Sequence, residues 1–309
     1  MARTPAGSAG YHHVDVFADQ PYTGNSLAVF VDPPPLTDGQ MVRIAQELRH
    51  FETVFVASGA DGVVRARVFD LMEELDFAGH PVLGAAAVLH RLQGVAPGDE
   101  RHWMFALAAR TVAVTTRGGD AGRVAALLDQ GRPELIQGST PVDPAAVAAA
   151  LDLGPADLDP VLPPEVISTG LRYLVVPLRD ADALCRARIA RPDFESFLAR
   201  YGAEFVYVLD AGRLEARHWN NDGVLEDAAT GSGAGCAAAY LLRHGRVRDG
   251  EEFLLKQGRF VDRPSTIAIT AYGARGHGPL TDVERVTVGG TVTAVGTGSL
   301  LVLPSEEQS

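Results

Sequence analysis

Apolar residues recur along the chain with two periods, which together predict a mixture of strands and helices. Alternation and short apolar runs predict strands at residues 11–17, 26–31, 51–56, 63–71, 103–116, 123–129, 173–177, 205–209, 214–219, 252–257 and 265–271. Helical spacing predicts a helix capped by Asp38, a second at residues 144–151 capped by Asp143, and a third at residues 192–201. The final apolar stretch, residues 286–302, predicts a terminal meander of strands.

Two further segments share one pattern, in which small residues at a turn lead into an apolar helix. The first covers residues 76–94 and the second residues 226–245, and each ends in basic residues followed by a glycine. This similarity predicts a two-fold internal repeat. We therefore expect an α+β protein of two domains, each a curved, mixed or antiparallel sheet wrapped on a central apolar helix. The predicted domains are residues 1–130 and 131–309, and the last strand can return to the first domain.

The N-terminus of each apolar helix is a place where an anion can bind. Unpaired backbone N–H groups and the positive end of the helix dipole both favour a negative group there, such as a substrate carboxylate. Two similar domains are expected to bring two such N-termini together across a cleft, and we expect the active site at that cleft.

Composition and charge narrow the class of partner. Hydrophobic residues make up 46% of the chain and charged residues 21%, as in ordinary soluble globular proteins. A net charge of −12 without a basic cluster argues against nucleic acid and anionic membranes. No stretch reaches the ~18 consecutive apolar residues of a membrane span. The two cysteines, Cys185 and Cys236, have no metal-ligand spacing, so we expect no metal and no disulfide framework, and a reducing cytoplasm.

Glu52 is a candidate acid–base group, because it begins a strand at residues 51–56. Side chains alternate across a strand, so Glu52 shares a face with Val54 and Val56. On an inward face, burial would raise the pKa of its carboxyl group, which suits a group that both takes and gives a proton. The alternative is an exposed charge at the start of a strand.

Two other residues have alternative interpretations. His80 precedes Pro81 at the predicted entrance of the first apolar helix, where it either holds an anion or carboxylate or serves as a capping residue without a ligand. Cys236 lies in the first turns of the second apolar helix and is interpreted as a small core residue. The glycines at 231, 233 and 235 lack a following Gly-Lys-Ser/Thr and a preceding buried strand, so no nucleotide cofactor is predicted.

Several short motifs along the chain are specific in combination. They are Asp15-Val16-Phe17 with Gly24-Asn25, Glu52-Thr53-Val54-Phe55-Val56, Phe77-Ala78-Gly79-His80-Pro81 with Gly84, Ser168-Thr169-Gly170, Glu226-Asp227 with Thr230-Gly231-Ser232, and Gln257-Gly258 with Arg263-Pro264-Ser265. Together they resemble the PhzF-like family, which is named for the phenazine-biosynthesis isomerase and is related in fold to diaminopimelate epimerase. The resemblance extends from about Tyr11 to Leu303.

This resemblance implies a diaminopimelate epimerase-like fold, in which two pseudo-symmetric halves each close a barrel-like sheet around a central helix. It also implies a homodimer. The family's catalytic glutamate matches Glu52, and its partner groups match His80 and Asp227. Its substrate-contacting loop groups match Gly79, Gly231 and Ser232. The implied reaction moves a proton between two carbons of a cyclic diene without a cofactor or metal.

Some positions depart from the related sequences. The epimerase relatives have two facing cysteines at the helix entrances, where this chain has Ala78 and Thr230, which argues against racemisation by two thiols. Three positions differ from the PhzF-like pattern, namely Ser26, Ala228 and Asp262. These differences bear on the substrate rather than on the chemistry.

The sequence thus predicts a cofactor-independent isomerase that acts on a small, carboxylated, unsaturated and cyclic metabolite in secondary-metabolite biosynthesis. Two alternatives stay open. One is epimerisation or carbon–carbon bond hydrolysis, with Glu52 and Asp227 as the acid–base groups. The other is a non-catalytic protein that binds a metabolite.

Overall fold

A computed structural model describes residues 8–59, 62–94, 96–273 and 282–305. The chain forms two compact units. Unit 1 contains Met1–Leu128 and Gly289–Ser309, and unit 2 contains Asp129–Val288. None of the helices within the described ranges has both the length and the apolar character needed to span a bilayer.

The described part of the chain contains strands, α-helices and short 3-10 turns. The strands are β1 Ala9–Val16, β2 Asn25–Val31, β3 Glu52–Ser58, β4 Val63–Phe69, β5 Glu74–Leu75, β6 Glu100–Ala106, β7 Thr111–Gly118, β8 Val124–Gly131, β9 Glu134–Ile136, β10 Glu165–Ser168, β11 Arg172–Leu178, β12 Phe205–Asp210, β13 Glu215–Arg217, β14 Phe253–Gln257, β15 Ser265–Gly273 and β16 Val283–Leu300. The helices are α1 Asp38–Leu48, α2 Gly79–Leu92, α3 Pro144–Ala150, α4 Ala181–Arg186, α5 Phe194–Ala199 and α6 Gly231–Arg243. The 3-10 turns are Asp120–Gly122, Pro155–Asp157 and Arg259–Val261.

Unit 1 is a closed barrel around helix α2. Its hydrogen-bonding order is β1-β2-β3-β4-β6-β7-β8-β16, and β16 also pairs with β1, which closes the barrel. The β2–β3 and β4–β6 pairs are parallel, whereas β1–β2, β3–β4, β6–β7, β7–β8 and β1–β16 are antiparallel. Helix α2 packs against β1, β2, β3 and β7. Its first ten residues are all buried, so an apolar helix of small residues fills the barrel.

Unit 2 repeats this design with helix α6 against a curved sheet. The strand order is β16-β15-β14-β13-β12-β11-β10-β9, with β11–β12 and β13–β14 parallel. Helix α6 packs against β10, β11, β12 and β15, and residues 231–242 are all buried. A separate apolar cluster joins α3, α4 and α5 to β10, β11 and β12. Each unit therefore places the start of an apolar helix among strand ends, and the predicted α+β fold is confirmed.

Local capping explains where two of the shorter helices begin. The Oδ1 atom of Asp143 accepts hydrogen bonds from the N–H groups of Ala145 and Ala146 at 3.0 and 3.3 Å, as predicted for α3. The prediction that Asp38 caps α1 is wrong. Thr37 is the N-cap residue, and it exchanges reciprocal hydrogen bonds with Gln40 in a capping box.

The end of the chain also differs from its prediction. Residues 283–300 form one long strand, β16, instead of a meander. Glycines within the strand suggest turns when only the sequence is considered. In the fold, a Cβ atom at Gly289 would lie 2.5 Å from the carbonyl oxygen of Ala126, so this glycine permits a close approach of two strands.

Candidate active site

Glu52 is the first residue of β3, which lies between β2 and β4. It pairs with Leu27 on β2 in parallel register. Only 9% of its surface is exposed, and Val54 and Val56 on the same face are fully buried. The alternative of an exposed charge at a strand end is therefore wrong, and Glu52 carries its carboxyl group inside the barrel of unit 1.

His80 lies in the first turn of α2 and contacts this carboxyl group. Its Nε2 atom is 2.9 Å from Oε2 of Glu52, and its Nδ1 atom is 3.4 Å from Nδ2 of Asn25. When the amide of Asn25 donates to Nδ1, the ring proton is assigned to Nε2, on the side that faces Glu52. His80 therefore lies beside a carboxylate, as one of its two sequence interpretations proposes.

The contact between His80 and Glu52 is close but poorly aligned for a hydrogen bond. Among the described residues, Oε2 of Glu52 is buried and accepts no hydrogen bond of good geometry. Buried polar atoms are normally satisfied, so such an oxygen marks a position for a proton or for a bound molecule. Catalytic hydrogen bonds are often loose until substrate binds.

Asp227 lies in unit 2, in the turn before α6. It is 2% exposed, and its Oδ2 atom accepts a hydrogen bond from the hydroxyl group of Thr230 at 2.6 Å. Gln257 holds the same turn, because its Nε2 atom donates to the carbonyl of Asp227 and to Oγ1 of Thr230, both at 2.9 Å. Its Oε1 atom accepts from the N–H group of Thr230 at 3.2 Å and from the hydroxyl group of Tyr207 at 2.8 Å. This buried network fixes the orientation of the Asp227 carboxyl group.

The residue before Asp227 has a different environment. Arg217 donates two hydrogen bonds to the carboxylate of Glu226, at 3.0 and 2.7 Å, and both side chains are over 90% buried. The Nη1 atom of Arg217 also donates to the carbonyl oxygens of Leu184, Cys185 and Ala187. Glu226 is therefore neutralised by a bidentate ion pair and anchors the segment that leads to Asp227.

Both central helices begin without a side-chain cap. Helix α2 starts at Gly79 after Ala78, and α6 starts at Gly231 after Thr230, with no capping hydrogen bond from either preceding side chain. Ser232 in the first turn of α6 shares a hydrogen bond of 2.9 Å with the hydroxyl group of Tyr173. Uncapped first turns leave backbone N–H groups and the positive dipole end for an anion.

The two cysteines do not provide thiol chemistry at these helix entrances. Cys236 is fully buried in α6, and burial raises the pKa of its thiol to about 12, so no thiolate forms near neutral pH. Its interpretation as a core residue is confirmed. Cys185 is exposed and lies on α4. Within the described residues, no three His, Cys, Asp or Glu side chains form a cluster that could hold a metal ion.

No role was predicted from the sequence for several residues that contact the candidate side chains within each unit. These residues are Asn25, Tyr173, Tyr207 and Gln257. Asn25 and Gln257 belong to the motifs that carry the family resemblance, which is the one signal that could have identified them.

Comparison with known proteins gives matches over nearly the whole chain. The model of the phenazine biosynthesis-like protein family, PhzC-PhzF, matches residues 14–298. The chain is 32% identical over 301 residues to the trans-2,3-dihydro-3-hydroxyanthranilate isomerase of Pseudomonas chlororaphis, which covers 94% of this chain and 100% of that protein.

Solved structures give similar coverage. The structure of a predicted epimerase from Pseudomonas aeruginosa matches with a TM-score of 0.86 and 44% sequence identity. The match covers 95% of this chain and 99% of the epimerase chain. A phenazine biosynthesis protein of the PhzF family from Bacillus anthracis has a TM-score of 0.80 at 22% identity, over 96% of this chain and 99% of that one, which shows that the fold is shared.

Proposed function

Because the chain belongs to the phenazine biosynthesis-like protein family and is an isomerase, we propose that it moves a proton between two carbons of a small, cyclic, unsaturated carboxylate in secondary-metabolite biosynthesis. The curated relative from Pseudomonas chlororaphis is named for trans-2,3-dihydro-3-hydroxyanthranilate, and we take that compound as the first candidate substrate. The observation that carries the proposal is the buried oxygen of Glu52, which lies beside His80 and accepts no well-aligned hydrogen bond within the described residues.

In this proposal Glu52 is both the base and the acid. Its carboxylate removes a proton from a carbon next to the conjugated system, and the electron pair of the broken C–H bond moves into that system. The resulting carboxylic acid then returns a proton at a different carbon, so that the substrate and product have the same composition. A positioned acid–base group of this kind contributes roughly 10²–10⁴-fold to the rate. His80 donates from Nε2 and stabilises the negative charge that the reaction develops.

Further groups are proposed to bind the substrate. The N–H groups at Gly79, and those at Gly231 and Ser232, are suited to a carboxylate because the first turns of both helices lack a side-chain cap. Asp227 is proposed to orient a polar group of the substrate, since the hydrogen bonds from Thr230 and Gln257 to its turn leave it little freedom. No cofactor takes part in these steps.

The first test is a turnover assay with trans-2,3-dihydro-3-hydroxyanthranilate. We expect Glu52→Gln to lower kcat by about 10²–10⁴-fold, because the amide cannot accept the proton. Glu47→Gln, the same substitution at an exposed position of α1, is the matched control and should retain the wild-type rate. Wild-type rates for Glu52→Gln would rule out Glu52 as the base. Absence of turnover by the wild-type enzyme would reject this substrate.

Epimerisation is a second candidate reaction, favoured by the 44% identity to a protein described as a predicted epimerase. It would use the same buried carboxyl group but return the proton to the carbon that lost it. The position of the new C–H bond in the product separates the two reactions.

Two properties of the working protein are also proposed. The resemblance to the family implies a homodimer, which sedimentation equilibrium at micromolar concentration would test. Both cysteines are free thiols, and Cys185 is exposed. A free exposed thiol favours a reducing compartment such as the cytoplasm.

A further inference from the structure

A pocket lies in unit 1 at the C-terminal end of α2. It has a volume of about 400 Å³. Its walls come from β1, the last turns of α2 and the second half of β16, and they include His12, Arg91 and Gly296. His80 and Arg91 are eleven residues apart on one helix, which corresponds to ~16 Å along its axis. The pocket is therefore distinct from the site at Glu52.

A bulge in the sheet accompanies this pocket. His13 pairs with Gly296, whereas Val14 pairs with Ala294, so Val295 has no partner on β1. An extra residue of this kind disrupts the ladder locally and bends the strand.

The polar groups of the pocket are basic. Arg91 and His12 supply them, and no acidic residue of the described ranges lines the pocket. The imidazole of His13 lies on the opposite face of β1, where it shares a hydrogen bond of 2.7 Å with Ser26. Arg91 forms no ion pair with any carboxylate of the described residues, although the chain as a whole carries a net charge of −12. Burial, and then the positive charge of Arg91, lower the pKa of His12, so its imidazole is neutral near pH 7 and can donate one hydrogen bond.

The remaining walls are apolar. Val14, Val88, Leu92, Ala294 and Val295 supply aliphatic surface next to the basic groups. The volume falls within the range of about 300–1,000 Å³ that small-molecule sites occupy. A free inorganic anion would leave most of this apolar surface without a partner, whereas an anion with a hydrocarbon body would cover it.

We propose that this pocket binds a small organic carboxylate with an apolar body. Its carboxylate forms an ion pair with Arg91 and accepts a hydrogen bond from the neutral imidazole of His12, and its hydrocarbon part lies against the valine and leucine side chains. A guanidinium group binds a carboxylate through two parallel hydrogen bonds, which makes Arg91 the main determinant. The site is separate from catalysis and does not depend on the proposed reaction.

Calorimetric titration with naphthalene-2-carboxylate tests this site. The wild-type protein should bind it saturably, and Arg91→Gln should weaken the affinity by about 10- to 100-fold, as expected for loss of a charged hydrogen bond. Arg65→Gln, at an exposed arginine of β4 in the same unit, is the matched control and should bind like the wild type. The neutral analogue naphthalene-2-carboxamide should bind at least about tenfold more weakly than the carboxylate.

The place where the ligand binds is tested independently by nuclear magnetic resonance of ¹⁵N-labelled wild-type protein. The resonance of the backbone amide of Gly296, which lines the pocket, should shift during the same titration. No saturable binding at millimolar ligand would overturn the proposal. Equal affinities of the wild-type and Arg91→Gln proteins would also overturn it, as would an unmoved Gly296 resonance at saturation.

Discussion

At the scale of single residues, the protein buries ionisable groups for different purposes. Arg217 and Glu226 form a bidentate ion pair in which each charge is compensated. Glu52, in contrast, is buried beside an imidazole without a well-aligned hydrogen bond on Oε2 among the described residues. Burial of a carboxyl group without full compensation costs stability. Such an arrangement is expected where the group must change its protonation state during a reaction.

His218 gives a prediction about pH at this scale. It is fully buried between the rings of Tyr173 and Phe205, its Nδ1 atom lies 2.9 Å from the carbonyl of Val206, and burial lowers its pKa from 6.5 to about 4. Because the folded pKa lies below the unfolded one, the unfolded chain binds a proton first, and stability falls as the pH drops from about 6.5 towards 4.

Urea unfolding at pH 7 and pH 5 measures this effect against His218→Gln. Between pH 7 and pH 5, the free energy of unfolding of the wild-type protein should fall by about 2 kcal/mol more than that of the variant, because the other titrating groups are common to both. Equal losses in the two proteins would show that His218 does not carry the pH dependence.

At the scale of elements, the small residues of the central helices allow strands to pack closely on them. A Cβ atom at Gly233 in α6 would lie 2.5 Å from the ring of Tyr207, which is fully buried and hydrogen-bonded to Gln257. Glycine inside a helix normally costs stability relative to alanine. At position 233 the close packing against Tyr207 makes glycine the more stable residue of the two.

We therefore expect Gly233→Ala to destabilise the protein by about 1–3 kcal/mol, because the ring cannot move without disturbing the hydrogen-bond network. Gly39→Ala in α1 is the control, since nothing lies within 4 Å of its Cβ position. It should be neutral or stabilising by up to about 1 kcal/mol. Thermal or urea unfolding gives both values, and a Gly233→Ala protein as stable as Gly39→Ala would refute the packing argument.

At the scale of the whole molecule, the last strand completes the sheet that the first part of the chain forms. Residues 292–300 of β16 pair with β1 from Val16 back to Ala9 and close the barrel of unit 1. The two units are therefore not two consecutive segments of sequence.

A chain that ends at residue 288 should fail to fold unit 1. The indole groups of Trp103 and Trp219 report on the two units separately, because the chain has two tryptophans. Trp103 Nε1 donates to Thr116 Oγ1 at 2.7 Å, so its ¹⁵N–¹H signal should move to the unfolded position in the truncated chain. A chain that ends at residue 305 is the control. A native Trp103 signal in the shorter chain would disprove the requirement for β16.

Sequence patterns predicted elements better than contacts between distant residues. The helical and alternating periods predicted α1 and most strands, and the repeated pattern of a small-residue turn before an apolar helix predicted the two central helices. The capping aspartate of α3 was also predicted, because all these features depend on neighbouring residues. The alternation of side chains along β3 placed Glu52 on the face of Val54 and Val56, but it did not show that this face is buried.

The features that the sequence did not predict depend on contacts between residues that are far apart in the chain. Asn25 meets His80 across 55 positions, and the pocket at Arg91 exists because β1 pairs with the far end of the chain. The single strand β16 was missed because Gly289 permits a close approach of two strands rather than a turn. No local period encodes such contacts.

Glu52 is proposed to carry a proton from one carbon of the substrate to another. Nuclear magnetic resonance of the product formed in deuterated water, by the wild type and by Glu52→Gln, tests it most directly. The wild type should form a product with its new C–H or C–D bond at a carbon other than the one that lost hydrogen, and Glu52→Gln should form almost none. Hydrogen returned to the original carbon, or undiminished product formation by Glu52→Gln, would contradict the claim.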